Sequence, residues 1–452
     1  MADAIPGRGS VHRVARGGVI AFFIYGVGYV LTYCSQLVIA RVVGVEVYGV
    51  YAYAFAWVVV LAYVSALGFD VGLLRFVPAY EADRAWPLLR GVIQYAQRRA
   101  LLVSFFVIIL GIFVVGSWTE SPDLQRTFFV GLALVPILAL VRIQCSAVRA
   151  FGAVVSALVP DRVIRDGALV GLLVVATLGL GWTLDAPFVM GATVVSSVLG
   201  LVCAGYAMRR HRPRIVDDIF PAYDAATWRR AAIPLVILGA TECLVNRTGV
   251  ILLGWMGSTK DAGIYSLAFN IALVVMMPRV AMNTLFAPAI SDLYARSDRE
   301  SMQVLITRIS SWTFCAGFCI AAALFVLADP LFAWFGPGYE TGAPALRILL
   351  FGQLMVASAG SQLYVMTMTG HERAAAVLLV CCASLNAGVS AVLIDMFGLN
   401  GAAIGTAASL VVWNLAMALY LWRRLSLLPG VLSRFRALAG KKPDIMTDGR
   451  IP

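Results

Sequence analysis

About twelve hydrophobic stretches, each roughly the 20 residues that a helix needs to cross a bilayer, run from Gly18 to Trp422. Residues are 61% hydrophobic and only 13% charged, with a mean hydropathy of +0.87. A water-soluble interior of this size could not hide so much apolar surface. Lipid offers no partners to backbone N–H and C=O groups, so the stretches must be helices that satisfy their own backbone. The chain is expected to be an all-α, polytopic membrane protein.

The spans are predicted at 18–40, 50–72, 100–116, 124–144, 164–182, 186–207, 231–254, 262–288, 304–326, 343–366, 374–396 and 399–422. The formal charge of +11 would suggest nucleic acid in a soluble chain, but its distribution argues otherwise. With the N-terminus inside, 29 of the 35 Lys and Arg fall in cytoplasmic segments and 4 in outer ones; Arg247 and Arg279 fall within spans. That bias follows the positive-inside rule and puts both termini in the cytoplasm. The basic loops therefore report topology and contact with anionic headgroups, and nucleic-acid binding is not expected. No cleavable signal peptide is expected, because the first apolar stretch is too long for one. The eight cysteines sit in or beside spans without metal-ligand spacing to the three histidines, so no metal and no cofactor are expected.

The chain repeats itself at a spacing of about 214 residues. Gly44 and Gly49-Val-Tyr51 early on match Gly257 and Gly263-Ile-Tyr265 later, and Arg209-Arg210 matches Arg423-Arg424. Gly152 likewise matches Gly370. Each half holds six spans, an even number, so the halves share one orientation and should form two six-helix bundles related by a pseudo-two-fold axis along the membrane normal. The expected units are an N-terminal bundle (1–212), a cytoplasmic connector (213–230), a C-terminal bundle (231–424) and a basic cytoplasmic tail (425–452).

Two parallel bundles suit alternating access around a central cavity, and the cavity should collect the residues too polar for lipid. The seventh span carries Glu242, Asn246 and Arg247 near its middle, where a charge costs about 2.5–3.5 kcal/mol on insertion scales. Glu242 and Asn246 share a face. An inward guanidinium would suit a phosphate; alternatively, Glu242 pairs with Arg247 or Arg279 and only fixes packing. Arg279 follows Pro278 and either faces a cavity beside a kink or snorkels to the headgroups. Tyr25, Tyr29 and Tyr33 form a stripe on the first span, fit either for sugar rings or for helix packing. Asp70 and Arg75, at the inner end of the second span, are either a gate pair or a boundary anchor. Arg142 reads as a headgroup anchor.

The run Arg41-Val-Val-Gly44-Val-Glu-Val-Tyr48-Gly49-Val-Tyr51, then Leu67-Gly68-Phe-Asp70 and Leu74-Arg75-Phe-Val-Pro78, resembles the opening of the polysaccharide-biosynthesis flippases of the O-antigen and exopolysaccharide type. These belong to the multidrug/oligosaccharidyl-lipid/polysaccharide exporter superfamily. The stretch from Gly263-Ile-Tyr265 to Gly398-Leu-Asn400-Gly401-Ala-Ala-Ile-Gly405 is similar too, so the resemblance covers about residues 15–425. It implies movement of an undecaprenyl-pyrophosphate-linked oligosaccharide from the inner to the outer leaflet of a bacterial cytoplasmic membrane, for polysaccharide biosynthesis. It also implies ion or proton coupling, and a cationic cavity for the pyrophosphate-sugar head, to which Arg247 and Arg279 would contribute. Membrane lipids and a glycan polymerase or other assembly proteins would be its partners. Unlike the lipid II flippases, the first span has no charge.

On this reading the protein is not an enzyme, and no catalytic residues are expected. The alternative is a cation- or proton-coupled multidrug exporter of the same fold with Glu242 as the coupling carboxylate; it requires an acidic cavity. A membrane scaffold, favoured by the basic tail, and a membrane transferase using Asp217-Asp218 are weaker alternatives.

Overall fold

The computed structural model describes residues 8–118, 121–256, 258–280, 282, 299–425, 427 and 430–431, apart from the side chains of 8–26, 29, 118, 299, 368 and 372. Every regular element among these residues is helical. Nine helices among them are long and apolar enough to cross a membrane. Two of the nine, Val30–Ala82 and Arg373–Leu425, are double-length at 53 residues each. Helix α1 (Arg8–Ser65) holds the first two spans, and they part at Gly44, whose φ of 79° and ψ of 171° leave the helical region. The last two spans part in the same way at Gly398, inside the helix Glu372–Leu425. With these two counted twice, the nine helices account for eleven of the expected crossings.

The remaining one, the fifth, differs from its prediction. It begins at Val154 rather than near 164, because the helix Val154–Val159 runs through a π turn, Pro160–Ile164, into a helix Arg165–Val174 and a second π turn, Val175–Gly179. Pro160 at the start of the first π turn lacks the N–H that a regular α turn would use. Residues expected in a cytoplasmic loop are therefore in a helix that packs on α1 and on α8 (Ala186–His211). Asp185 caps α8 by accepting from Phe188 N at 2.9 Å.

The connector Arg212–Asp224 lies along α3 (Trp86–Trp118), where Arg90 Nη1 donates to the carbonyls of Asp217 and Ile219 at 2.7 and 2.6 Å. The seventh span, α10 (Ala225–Trp255), then begins with Asp224 as its cap. Its first turn is tied to the N-terminal half by Trp228, whose Nε1 donates to Tyr80 Oη at 2.9 Å. The next helix, α11 (Thr259–Ala272), packs against α1.

The internal repeat is visible in atomic contacts. Tyr51 Oη meets Thr193 Oγ1 at 3.3 Å, and its counterpart Tyr265 Oη meets Thr406 Oγ1 at 2.8 Å. Tyr51 stacks on Phe55 at 5.6 Å, and Tyr265 on Phe269 at 6.0 Å. Each half thus anchors its second helix to its sixth by one tyrosine–threonine hydrogen bond, which satisfies a phenol that burial would otherwise leave without a partner.

Candidate functional site

A cavity of about 320 Å³ lies between the N-terminal helices and the pair α10–α11. Its walls follow helical spacing. Thr32, Tyr33, Ser35 and Gln36 come from the first half of α1, and Tyr51, Phe55, Val59 and Tyr63 from the second. Asn246 and Arg247 face it from α10; Ser266, Phe269, Asn270 and Leu273 face it from α11. The fifth span adds Asp161, Arg162, Arg165 and Asp166, and the fourth adds Arg142.

Charge in this cavity is ordered around Arg165. Its Nη1 donates to Asp161 Oδ1 at 2.7 Å and its Nε to Asp166 Oδ1 at 2.9 Å. The far oxygen of Asp166 accepts a hydrogen bond from Thr32 Oγ1. Asp161 also faces Arg162, with Nε–Oδ2 at 3.7 Å. Asp161 and Arg165 stand four apart across the π turn, so one guanidinium fork reaches both carboxylates. Asp166 is 3% exposed, and a carboxylate so enclosed requires these partners. Arg142 lies 3.4 Å from the centre of the Tyr63 ring, with Asp70 at 3.8 Å.

Arg247 differs from these. Among the described residues it has neither a salt bridge nor a hydrogen bond, although it lines the cavity at mid-helix. Four arginines face two aspartates across the described cavity, and with Asp70 counted behind Arg142 the guanidiniums still outnumber the carboxylates.

Of the residues singled out in the sequence, Tyr33, Asn246 and Arg247 line the cavity. Tyr25 and Tyr29 have side chains outside the described residues. Glu242 does not line it: it lies one turn before Asn246 and is exposed on the flank of α10. Nor does Arg279. The cavity face of α11 ends at Leu273, where the chain tightens into a 3-10 turn, Leu273–Met276, and shifts the phase of the residues beyond it. Arg279 is half-buried and acts electrostatically on Glu242. The alternative of a Glu242 pair thus matches Arg279 rather than Arg247. Asp70 is paired with Arg142 and not with Arg75, which is exposed. Five residues apart on one helix, the two point about 140° away from each other.

Sequence reasoning passes over Asp161, Arg162, Arg165 and Asp166, and misreads Arg142 as a headgroup anchor. The available signal is an i, i+4 Asp–Arg pair straight after Pro160 and running directly into an apolar stretch.

These features define a polytopic helical membrane protein with a polar, arginine-rich cavity between its two halves. A family model described as "Polysaccharide biosynthesis protein" matches residues 14–294, and the chain belongs to that family. No curated protein matches the chain in sequence. Among solved structures it is similar to a multidrug resistance MATE family transporter of the MOP superfamily in its inward-facing conformation. The TM-score is 0.75 at 15% identity, over 88% of this chain and 94% of that one. An outward-facing multidrug resistance MATE family transporter gives 0.66 at 15% identity, over 95% and 96%. A mutant of the Vibrio cholerae MATE transporter VcmN gives 0.66 at 15% identity, over 93% and 98%. The protein thus has the MATE fold, and its membrane-length helices make it a multi-pass membrane protein.

Proposed function

We propose that the protein is a flippase that carries an undecaprenyl-pyrophosphate-linked oligosaccharide from the inner to the outer leaflet of a bacterial cytoplasmic membrane. Both termini are cytoplasmic on this reading. The observation that supports it best is Arg247, a guanidinium facing a membrane-depth cavity with no carboxylate partner among the described residues. A charge left so is costly in a low-dielectric interior unless an anion joins it. A diphosphate diester offers two negative charges and oxygens suited to guanidinium forks. Tyr33, Tyr51, Phe55 and Tyr63 supply ring faces and hydroxyls for the adjoining sugars, and Asn246, Asn270 and Gln36 supply amides. The polyprenyl tail stays among lipid chains. No covalent bond is made or broken: the two bundles rock about the loaded cavity, and release on the far side completes the step. Lipids and glycan-assembly proteins are the partners this reading implies.

The multidrug-exporter alternative draws support from the shared fold. It calls for an acidic cavity, and the cavity here is basic with Glu242 outside it.

The test is a profile of lipid-linked glycans in cells deleted for the protein and complemented with wild type or Arg247→Ala. An undecaprenyl-linked oligosaccharide should accumulate in the deletion, clear with wild type and persist with the variant. A normal glycan profile in the deletion strain would reject the flippase reading.

A further inference from the structure

The cavity ends beneath a compact seal. Tyr48, one turn from Tyr51, is fully buried, and its Oη donates to Gln36 Oε1 at 2.8 Å. Its ring lies 6.4 Å from that of Tyr339, whose own Oη donates to the carbonyl of Ala40 at 3.0 Å. At the same level α1 crosses α11 with no side chain between the backbones. A Cβ on Gly263 would stand 2.6 Å from Gly49 Cα, and a Cβ on Gly49 would run into the carbonyl oxygen of Thr259. Ordinary carbon contacts need about 3.5–4.0 Å, so neither position admits a larger residue without parting the helices. Around this crossing the Tyr53 ring packs on Gly254, and at the rim lie Lys260 Nζ–Glu46 Oε1 at 3.4 Å, with both side chains exposed, and Arg41 over the Trp334 ring at 4.9 Å.

Two properties distinguish this contact from ordinary bundle packing. It joins the two halves through counterpart residues of the repeat, Gly49 and Gly263, so it lies on the pseudo-two-fold axis that relates the halves, where they meet on one side of the cavity. It is also flat. At the crossing itself glycine surfaces meet, so only the flanking rings Tyr53 and Tyr339 have to disengage there, and the surface ion pair contributes little to holding the halves. The Lys and Arg distribution puts this end outside.

We propose that the Gly49–Gly263 crossing is the outer gate of the cavity, and that the Gln36–Tyr48 hydrogen bond ties its closure to what occupies the cavity. Gln36 does two things at once: its side chain lines the cavity and its Oε1 holds Tyr48 in the seal. A cargo hydroxyl that donates to Gln36 competes with Tyr48 Oη. The displaced phenol then loses that acceptor while still buried, which weakens the closed seal relative to the open one. A ligand shifts a conformational equilibrium only through such a difference in interaction between states. This inference rests on the transport reading but not on the identity of the cargo.

The test introduces Glu46→Cys and Lys260→Cys together into the full chain lacking its eight native cysteines, with a protease site in the connector so that a cross-link rejoins the halves on a gel. In native membranes the pair should oxidise readily. Gly263→Val should cut the cross-linking rate at least tenfold and leave both introduced thiols free for a membrane-impermeant maleimide after oxidation. The milder variants Tyr48→Phe and Gln36→Leu both remove the Gln36–Tyr48 bond, the former also the contact of the Tyr48 hydroxyl with Ser266, and each should slow cross-linking severalfold. The double variant should be no slower than Tyr48→Phe alone, because Gln36→Leu removes nothing that Tyr48→Phe leaves in the seal. Unchanged cross-linking in Gly263→Val would overturn the gate. Additive effects of Tyr48→Phe and Gln36→Leu, or no effect of either, would overturn the link to the cavity. None of these readouts depends on a glycan, so their failure is separate from a normal glycan profile in the deletion strain.

Discussion

Arg165 carries the local electrostatics of the cavity. Removing its guanidinium leaves Asp161 with the more distant Arg162 and leaves Asp166 with Thr32 alone. Breaking a buried pair by deleting one member costs about 3–5 kcal/mol, because the surviving charge is uncompensated. Arg165→Ala should therefore lower the melting temperature of the purified protein markedly, and adding Asp166→Asn should recover part of the loss. A double-mutant cycle by thermal unfolding in detergent checks this; purely additive effects would deny the pairing. These residues also mark where sequence reading reaches its limit. Arg247 is legible because a charge in the middle of an apolar run has no bland position to occupy. Arg162 and Arg165 stand at the edge of a run, where a charge is ordinary in a loop, and hydropathy alone cannot tell a helix start from a loop end. Likewise Asp70 and Arg75 are near in sequence, but only the fold brings Arg142 to Asp70.

At the scale of elements, period and punctuation are legible in the sequence. The glycines at 44 and 398 fall between predicted spans, and each is the point where a double-length helix leaves helical φ/ψ. The π turn Pro160–Ile164 is not legible, since it depends on hydrogen-bond register and not on composition. A π turn is in effect one residue inserted into an α-helix, so it rotates everything after it by about 100° relative to what precedes it. Here that rotation sets Arg165 and Asp166 against Asp161 and Thr32. Pro160→Ala returns the N–H that a regular α turn uses, and at unchanged chain length it should restore a regular helix while swinging Arg165 and Asp166 off the cavity face. The expected outcome is a membrane-inserted, folded protein that fails to clear the lipid-linked glycan. Full clearance by this variant would mean that the turn does not set the geometry of the cavity.

For the whole molecule, the repeat supplies an internal control. Counting from the matched glycines Gly152 and Gly370, Asp161 and Arg165 in the N-terminal half correspond to Leu379 and Ala383 in the C-terminal half. Leu379 and Ala383 pack with Val245 in a small apolar cluster, where their counterparts make a salt bridge at 2.7 Å. One scaffold thus carries packing on one side and charge on the other, and among the described residues the cavity's only arginine from the C-terminal bundle is Arg247. The two sides should respond oppositely to substitution. Leu379→Ala opens a cavity in a site that is fully buried, at a cost of about 2–5 kcal/mol, and touches nothing that would meet an anionic head. It should lower the melting temperature while leaving glycan clearance per folded protein near wild type. Asp161→Asn keeps the shape of the side chain and frees part of Arg165 and Arg162 from their internal anion. Asp166 still holds Arg165, so the variant should change stability less and clearance more, because those guanidiniums then hold a phosphate with one competing carboxylate fewer and release it slowly. Melting temperature and lipid-linked glycan, each normalised to protein in the membrane, measure the two effects separately. If both variants lost stability and clearance in the same proportion, the charged side would be packing like its counterpart, and Arg162 and Arg165 would have no part beside Arg247 in holding the anion.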